Sequence, residues 1–235
     1  YTLRTLFPYT TLFRSLDSGL PCLLVDDGSS PACAAVLAQL ASLDNVSLLT
    51  LPSNQGKGSA VMAGFREAAR LGFTHALQVD ADGQHDLREV ENFIDTSRRH
   101  PTAVICGYPE YDDSVPKGRL YARYLTHVWV WINTLSLQIR DSMCGFRVYP
   151  LAPTLALMNS AYIGTHMDFD SDILVRLAWR NQPMRWLPTK VHYPADGLSH
   201  FRLFRDNVRI SAMHTRLFFG MLVRAPMILW RRWQA

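Results

Sequence analysis

Cysteine is scarce in this chain and follows no pairing pattern. The four cysteines, Cys22, Cys33, Cys106 and Cys144, have neither the spacing of a disulfide framework nor that of a metal site, and two of them lie in apolar segments. This argues against a disulfide-stapled secreted domain and predicts a reducing, cytoplasmic setting. No secretory signal is visible in the sequence, and the truncated front expected below leaves this point open.

Long apolar runs are absent too. The longest runs near the C-terminus, Leu217–Val223 and Ile228–Trp230, are interrupted by Arg224 and Pro226. Neither approaches the roughly 20 apolar residues that a membrane-spanning helix needs.

Acidic residues are rare at the C-terminal end. From Gly197 to Ala235 the chain has seven arginines and only one acid, Asp206, a net charge of +6. Arginines beside aromatic and aliphatic residues at helical spacing predict a basic amphipathic helical tail over residues 201–235. The tail can lie in a membrane interface or pack on the preceding domain, and the sequence leaves both open. No nucleic-acid recognition motif accompanies the charge, so no nucleic-acid partner is expected.

The most informative stretch is Asp80-Ala-Asp-Gly-Gln-His-Asp86, which follows the apolar segment His75–Val79. Residues i and i+2 of an extended chain point to one face, so Asp80 and Asp82 can converge on one hard cation, with Gln84 as a third oxygen ligand. Mg²⁺ or Mn²⁺ shared with a substrate diphosphate suits such a site.

Other readings of this stretch remain. A strand-ending turn explains an Asp pair before Gly. A calcium loop does not fit, because His85 stands where that loop needs Gly and a strand stands where it needs a helix. A haloacid-dehalogenase-type phosphatase also has Asp-x-Asp-Gly after a strand, although Thr or Val normally follows where this chain has Gln84.

The order of elements predicts an α/β fold. Cys22–Val25 reads as a strand that ends in Asp26-Asp-Gly-Ser-Ser30, and Pro31 opens a helix to about Ser42. A strand at Val46–Leu51 and a helix that Gly72 ends come next. Acidic groups therefore stand at the carboxyl ends of strands, where open α/β sheets bind ligands.

The segments VDDGSS, NQGKGSA and QVDADGQHD, with Asp141-Ser-Met-Cys-Gly-Phe-Arg147, resemble the family 2 glycosyltransferases of GT-A fold, especially the dolichyl-phosphate mannosyltransferase type. The resemblance implies a Rossmann-like, mostly parallel central sheet with flanking helices. It also implies a nucleotide diphosphate sugar as donor and a lipid or lipid-phosphate acceptor.

Residue roles come from the same resemblance. It assigns the nucleotide to Asp26, Asp27, Gly28, Lys57 and Asp80, and the Mg²⁺ or Mn²⁺ to Asp80, Asp82 and Gln84. The structural alternative for Asp26 and Asp27 is a capped turn, and the alternative for Lys57 is a lysine exposed to solvent.

The acceptor phosphate has three candidate contacts, Arg119, Arg123 and Arg147. Cys144, however, stands where the family has Ser. Asp170 or Asp141 would be the general base for a hydroxyl acceptor, and a phosphate acceptor needs none. His200 and Arg202 are candidates for a loop that closes over the diphosphate. The alternative is that they belong to a surface turn.

The front of the chain departs from the family, whose first strand, nucleotide loop and helix it lacks. Residues 5–15 read as the translation of a sequencing-library adapter, so residues 1–15 are predicted to be an artefact. Residues 16–200 are then expected to form a catalytic domain without its first strand.

Together these features predict a bacterial-type, metal-dependent, inverting glycosyltransferase at the inner face of the cytoplasmic membrane, in peripheral contact with it. The phosphatase and a non-catalytic membrane-peripheral fragment are the alternatives.

Overall fold

Strands and helices alternate along most of the chain in the computed structural model, which describes residues 19–80, 84–111, 117–191 and 202–234. The strands are β1 (Cys22–Asp26), β2 (Val46–Thr50), β3 (His75–Gln78), β4 (Val104–Tyr111), β5 (Arg147–Pro150) and β6 (Met184–Val191). The helices are α1 (Pro31–Leu40), α2 (Lys57–Arg70), α3 (Val90–Arg99), α4 (Lys117–Thr134), α5 (Leu151–Ser160), α6 (Phe169–Trp179) and α7 (Leu203–Trp233), with a short 3₁₀ turn at Leu87–Glu89. The α/β class predicted from the sequence is confirmed.

The strands form two sheets. β1 and β2 pair in parallel, and the larger sheet has the order β3-β5-β4-β6. β5 runs antiparallel to both of its neighbours, whereas β4 and β6 are parallel. The expectation of a mostly parallel sheet is therefore wrong in this respect: the sheet is mixed. The reversed direction matters for the site, because Arg147 at the start of β5 pairs with Gln78 at the end of β3.

The larger sheet is covered on both faces. Val104 and Cys106 of β4 join one apolar cluster with helices α2, α5, α6 and α7, and Ile105 joins the opposite cluster with Phe93 of α3. Alternate residues of β4 thus serve opposite cores, as strand geometry requires. A third cluster packs α1 on β1 and β2.

The predicted C-terminal amphipathic helix is confirmed as α7, which packs against α4 and α6. Its inward face buries Met213, Leu217, Met221 and Ile228. No helix within the described ranges combines the length and the hydropathy that crossing a bilayer requires. All four cysteines are free thiols, as the sequence predicted.

Candidate active site

Lys57 occupies the first position of α2, and the loop before it is fixed by Asp27. The Asp27 carboxylate accepts hydrogen bonds from the backbone N–H of Gln55 at 2.7 Å and of Gly56 at 2.8 Å. Gly56 has φ +98°, and a Cβ there would lie 2.6 Å from the Thr165 carbonyl oxygen. Only glycine permits both that backbone conformation and that approach. The loop is therefore built to hold the start of α2.

Asp26 and Gly28 complete the same turn. Asp26 is buried, and its Oδ1 accepts from the backbone N–H of Ser29 at 2.9 Å. Gly28 has φ +69°, and a Cβ there would lie 2.5 Å from the Asn54 nitrogen. The capped-turn alternative thus describes the contacts of Asp26 and Asp27 in this structure, and their predicted nucleotide contacts stay a prediction.

Two carboxylates from distant segments meet at the carboxyl end of β3. The Lys57 Nζ lies 2.5 Å from Asp80 Oδ2 and 2.6 Å from Asp170 Oδ2. The Gln78 Nε2 donates to the other oxygens of the same pair, at 3.3 Å to Asp80 Oδ1 and 3.0 Å to Asp170 Oδ1. We call these four residues the carboxylate bridge. It joins a residue predicted for the donor side, Asp80, to one predicted for the acceptor side, Asp170.

The contacts of the bridge favour the ionised forms of Asp170 and Lys57. Burial raises the pKa of Asp170, but the charges of Lys57 and Arg147 outweigh it and hold that pKa below its usual range. For Lys57, burial lowers the pKa, yet Asp170 and Asp80 outweigh it and hold the pKa above normal. Asp170 is thus a hydrogen-bond acceptor only, with both oxygens engaged, which is a poor arrangement for a general base.

Arg147 supports Asp170 from beneath. Its side chain is completely buried, and Nη1 donates to the Asp170 carbonyl at 2.9 Å and to the Tyr149 hydroxyl at 3.2 Å. Its Nε and Nη2 have no hydrogen-bond partner among the described residues. The Arg147 side chain is 0% exposed among the described residues, and its predicted contact with the acceptor phosphate stays a prediction.

Asp141 organises the loop before β5. Its Oδ1 accepts from the backbone N–H of Met143 and Cys144, at 2.8 and 2.7 Å, and its Oδ2 lies 2.6 Å from Arg123 Nε and 3.2 Å from His127 Nε2. Burial raises the pKa of Asp141, but the hydrogen bond from His127 and the charge of Arg123 outweigh it and keep the pKa below normal. With both oxygens engaged and 1% of its surface exposed, Asp141 is placed to position Arg123 rather than to act as a base.

Gly145 brings this loop against Asp80. A Cβ at this position would lie 2.1 Å from Asp80 Oδ2. The absence of a side chain therefore lets the predicted donor and acceptor segments touch.

The other acids of the Asp168–Asp172 segment have structural partners. Asp168 accepts from the His166 backbone N–H at 3.0 Å. Asp172 binds Arg176 at 2.6 Å and Arg216 of α7 at 2.9 Å, and it also accepts from the Gly164 N–H.

His166 lies against the Asp27 loop, because a Cβ at Gly56 would lie 2.7 Å from its ring. Burial and the charge of Arg209 lower the pKa of His166, while Asp168, Asp206 and Asp27 act in the opposite direction. Arg202, exposed just before α7, donates its backbone N–H to Asp206 at 2.7 Å.

Several predicted site residues are not settled by the structure. Asp82 and His200 lie outside the described residues, as does the side chain of Arg119. In the described part of the chain, no three His, Cys, Asp or Glu side chains converge as a metal-binding set. The donor chemistry nevertheless fits Mg²⁺ or Mn²⁺: Asp80 offers hard carboxylate oxygens, is 20% exposed, and its Oδ1 has, among the described residues, a single hydrogen bond of 3.3 Å.

Two residues of the site were not predicted. Gln78 and His166 were not singled out, although a polar residue at the end of the apolar segment before Asp80 was the available signal for Gln78. Nothing local marked His166.

Curated relatives have related functions. A dolichyl-phosphate beta-glucosyltransferase of Dictyostelium discoideum is 26% identical over 182 residues, covering 73% of this chain and 54% of that protein. A polyprenol monophosphomannose synthase of Mycolicibacterium smegmatis is 29% identical over 140 residues, covering 54% and 49%. The chain spans about half the length of these relatives.

Solved structures share the architecture. The crystal structure of M. tuberculosis glucosyl-3-phosphoglycerate synthase has a TM-score of 0.59 at 14% identity, covering 94% of this chain and 77% of that one. At this identity the likeness concerns the fold, which is GT-A as the sequence predicted. The family model described as "Glycosyl transferase family 2" matches residues 11–165, well over half of the chain, and includes Lys57, Gln78 and Asp80 of the carboxylate bridge. The chain therefore belongs to glycosyl transferase family 2.

Proposed function

We propose that this protein transfers a sugar from a nucleotide diphosphate sugar to a polyprenyl-type lipid phosphate, with inversion at the anomeric carbon. The observation that carries the proposal is the carboxylate bridge, in which Lys57 and Gln78 hold Asp80 and Asp170 together at the carboxyl end of β3. The two relatives, a dolichyl-phosphate beta-glucosyltransferase and a polyprenol monophosphomannose synthase, support the acceptor class.

The proposed step is a single displacement. An oxygen of the acceptor phosphate forms a bond to the anomeric carbon, the bond from that carbon to the diphosphate breaks, and the nucleoside diphosphate leaves with the electron pair. Negative charge develops on the departing diphosphate, so cationic groups near it contribute most to lowering the barrier.

A divalent metal would supply part of that charge. Asp80, with Asp82 and Gln84 as predicted from the sequence, would hold Mg²⁺ or Mn²⁺, which neutralises the diphosphate. The Lys57 ammonium lies at Asp80 Oδ2 and is the described cation nearest to this position.

The acceptor is better explained as a phosphate than as a hydroxyl. A hydroxyl acceptor must lose its proton to a base, whereas a phosphate oxygen already carries negative charge. Asp170 and Asp141 both have their oxygens engaged by donors and pKa values held low, so neither is arranged as that base. Arg123, held in place by Asp141, is the described residue that we assign to the acceptor phosphate.

An exposed apolar surface supports access to a lipid acceptor. It consists of Tyr121, Tyr124, Leu125, Trp129 and Ile132 of α4 with Phe219, Leu222, Val223, Leu229, Trp230 and Trp233 of α7. We call it the two-helix apolar surface. Trp129 contacts Phe218 edge-on at 6.4 Å, and Phe218 contacts Phe219 at 5.9 Å, so aromatic side chains join the two helices at this surface. The single acid of the two helices, Asp206, is buried.

A lipid bilayer is the partner that fits this surface. Large apolar patches mark interaction sites, and tryptophan and tyrosine favour the boundary between lipid headgroups and acyl chains. The same α4 carries Arg123, so contact with a membrane through this surface would bring the proposed acceptor contact close to the lipid. The predicted cytoplasmic side of that membrane stays a prediction.

The test is a transfer assay with the full chain. Nucleotide diphosphate sugars are supplied with dolichyl or undecaprenyl phosphate and Mn²⁺, and both lipid-linked sugar and released nucleoside diphosphate are quantified. We expect one nucleoside diphosphate for each sugar transferred, loss of transfer with a chelator, and loss with Asp80→Asn.

Two controls separate the alternatives. Glu110→Gln changes a carboxylate outside the carboxylate bridge and should retain transfer. Release of phosphate from a generic phosphomonoester without sugar transfer would instead support the phosphatase.

A further inference from the structure

The carboxylate bridge contains one cation for two carboxylates, and its two sides are unequal. Asp170 is 6% exposed and has Gln78 at 3.0 Å and Arg147 Nη1 at 3.7 Å in addition to Lys57. Asp80 is 20% exposed, and among the described residues it accepts hydrogen bonds from Lys57 and, at 3.3 Å, from Gln78 alone. Of the two carboxylates, Asp80 is therefore the one at which another cation can replace Lys57.

We propose that Lys57 is an exchangeable countercation, which occupies Asp80 until a divalent metal takes that carboxylate and then remains on Asp170. This rests on the proposed function, in which Asp80 is a metal ligand. It adds a positioning role for Lys57, which keeps two like-charged carboxylates together before the metal arrives.

The chemistry of the two cations favours the exchange. An ammonium carries one charge and donates three hydrogen bonds, two of which Lys57 uses on the bridge. A divalent ion carries twice that charge and binds hard oxygen directly. When Asp80 changes partner, Asp170 still holds Lys57, so the ammonium stays at the site with free donors that can reach the substrate diphosphate.

The geometry around Lys57 restricts where it can go. Its backbone is fixed at the start of α2 by the Asp27–Gly56 hydrogen bond and by the contact of Gly58 with Gly164, where a Cβ would lie 2.6 Å from the carbonyl oxygen. The exchange therefore requires movement of the side chain alone. A substitution at Lys57 changes the cation without removing these backbone anchors.

Direct metal binding tests the proposal without any substrate. Mn²⁺ is titrated into the full-length protein and free Mn²⁺ is measured by electron paramagnetic resonance. Because Lys57 competes for Asp80, we expect Lys57→Met to bind Mn²⁺ at least about tenfold more tightly than the wild type, the equivalent of about 1.4 kcal/mol. Arg66→Met, which removes an exposed positive charge from the same helix, should change the affinity less than about twofold.

A second measurement uses the unaltered protein. The chain has three lysines, Lys57, Lys117 and Lys190, so selective ¹³C labelling gives few side-chain NMR signals. Titration with diamagnetic Mg²⁺ should shift the ε-methylene signal of Lys57 and leave that of Lys190 unchanged.

Unchanged or weaker Mn²⁺ binding by Lys57→Met, or a Lys57 signal that does not respond to saturating Mg²⁺, would overturn the exchange. If transfer activity is nevertheless present and metal-dependent, the proposed function stands and only the role of Lys57 fails.

Discussion

Gly145 shows how much the site depends on the size of one residue. It precedes Phe146 and Arg147, whose side chains are buried on opposite sides of β5, so the backbone at Gly145 cannot shift without disturbing the core. Asp80 fills the space that a side chain at Gly145 would need. The position of Asp80 is thus set jointly by β3 and by the loop before β5.

We expect Gly145→Ala to impair donor binding more than stability. The added Cβ, 2.1 Å from Asp80 Oδ2, must push the partly exposed carboxylate outward and away from Lys57. Titration calorimetry with a nucleoside diphosphate and Mn²⁺ should show a loss of affinity of at least about tenfold, or about 1.4 kcal/mol. Gly64→Ala, whose Cβ would meet only Val25 at 3.2 Å, should bind as the wild type does. Equal affinity in both variants would show that Gly145 does not set the position of Asp80.

At this scale the sequence singled out Lys57, Asp80 and Asp170, which the structure brings together, but it did not predict the contacts that join them. The i, i+2 spacing and strand-end position singled out Asp80, and motif resemblance singled out Asp170, Lys57 and Arg147. The bridge itself joins residues 57, 78, 80 and 170, and a contact between such distant positions leaves no local pattern in the chain. The burial of Arg147 could not be predicted either. An arginine that follows Gly-Phe has the same local sequence whether it is buried or lies at a surface phosphate site.

Among the elements, the contact between α4 and α7 depends on a buried histidine. His214 of α7 lies 3.2 Å from the Asn133 amide nitrogen through Nδ1, and its ring stacks at 6.1 Å on Trp129. Burial lowers the pKa of His214 to about 4, against the smaller opposing effect of Asp172. The folded protein therefore keeps this histidine neutral at pH values where the unfolded chain protonates it.

The sign of the resulting pH dependence is definite. Above about pH 6.5 His214 is neutral in both the folded and the unfolded state, so its contribution to the free energy of unfolding is fully present. As the pH falls from about 6.5 towards 4, the unfolded chain binds a proton that the folded chain excludes, so stability is lost. By pH 5 this loss should be about 2 kcal/mol.

Denaturant unfolding of the wild type and of His214→Gln at pH 7 and pH 5 measures this effect. The variant cannot titrate at this position, so the difference in free energy of unfolding between the two proteins should narrow by about 2 kcal/mol at the lower pH. A difference that stays constant, or widens, would mean that His214 is protonated in the folded protein.

Element prediction succeeded where periodicity was strong. The helix expected from Pro31 to about Ser42 is α1, which ends at Leu40, and the strand expected at Val46–Leu51 is β2. The direction of β5 could not be predicted, because strand pairing depends on where the chain re-enters the sheet rather than on residue pattern. The packing of α7 could not be predicted from its charge or hydropathy, because its buried methionines and its exposed tryptophans have similar apolar character.

For the whole molecule, several arginines of α7 contact the protein itself, whereas the sequence left open both a membrane interface and a helix packed on the preceding domain. A polybasic segment on a bilayer would bind in a salt-dependent way. Instead Arg216 binds Asp172, Arg231 donates to the Trp179 carbonyl, and Arg232 donates to the Thr134 carbonyl at 3.2 Å. Arg224 donates to the Gly220 carbonyl and lies over the Trp179 ring. These arginines fasten the helix to the protein, and the two-helix apolar surface is left facing outward.

Membrane binding should therefore resist salt and depend on apolar side chains. We expect flotation with anionic vesicles to persist at high salt and to be lost in Leu222→Glu/Trp230→Glu, because each buried apolar side chain contributes about 1.5 to 3 kcal/mol. Arg205→Glu changes the net charge by the same amount at an exposed position and should retain most of the binding. Binding that high salt abolishes, or that the apolar double variant retains, would contradict this mode of attachment.

The parallel pairing of β4 with β6 also affects how the chain acquires its fold. β4 is complete at Tyr111, whereas its partner begins only at Met184, and helices α4, α5 and α6 lie between them. Contacts between positions so far apart are slow to form, because a long loop must close before the pairing contributes any stability. During synthesis, the edge of β4 that pairs with β6, including its Val-Ile-Cys segment, stays unpaired until β6 has left the ribosome. We expect β6 to be the last strand to join the sheet. The unpaired edge of β4 should then be the part of the nascent chain that most needs a chaperone.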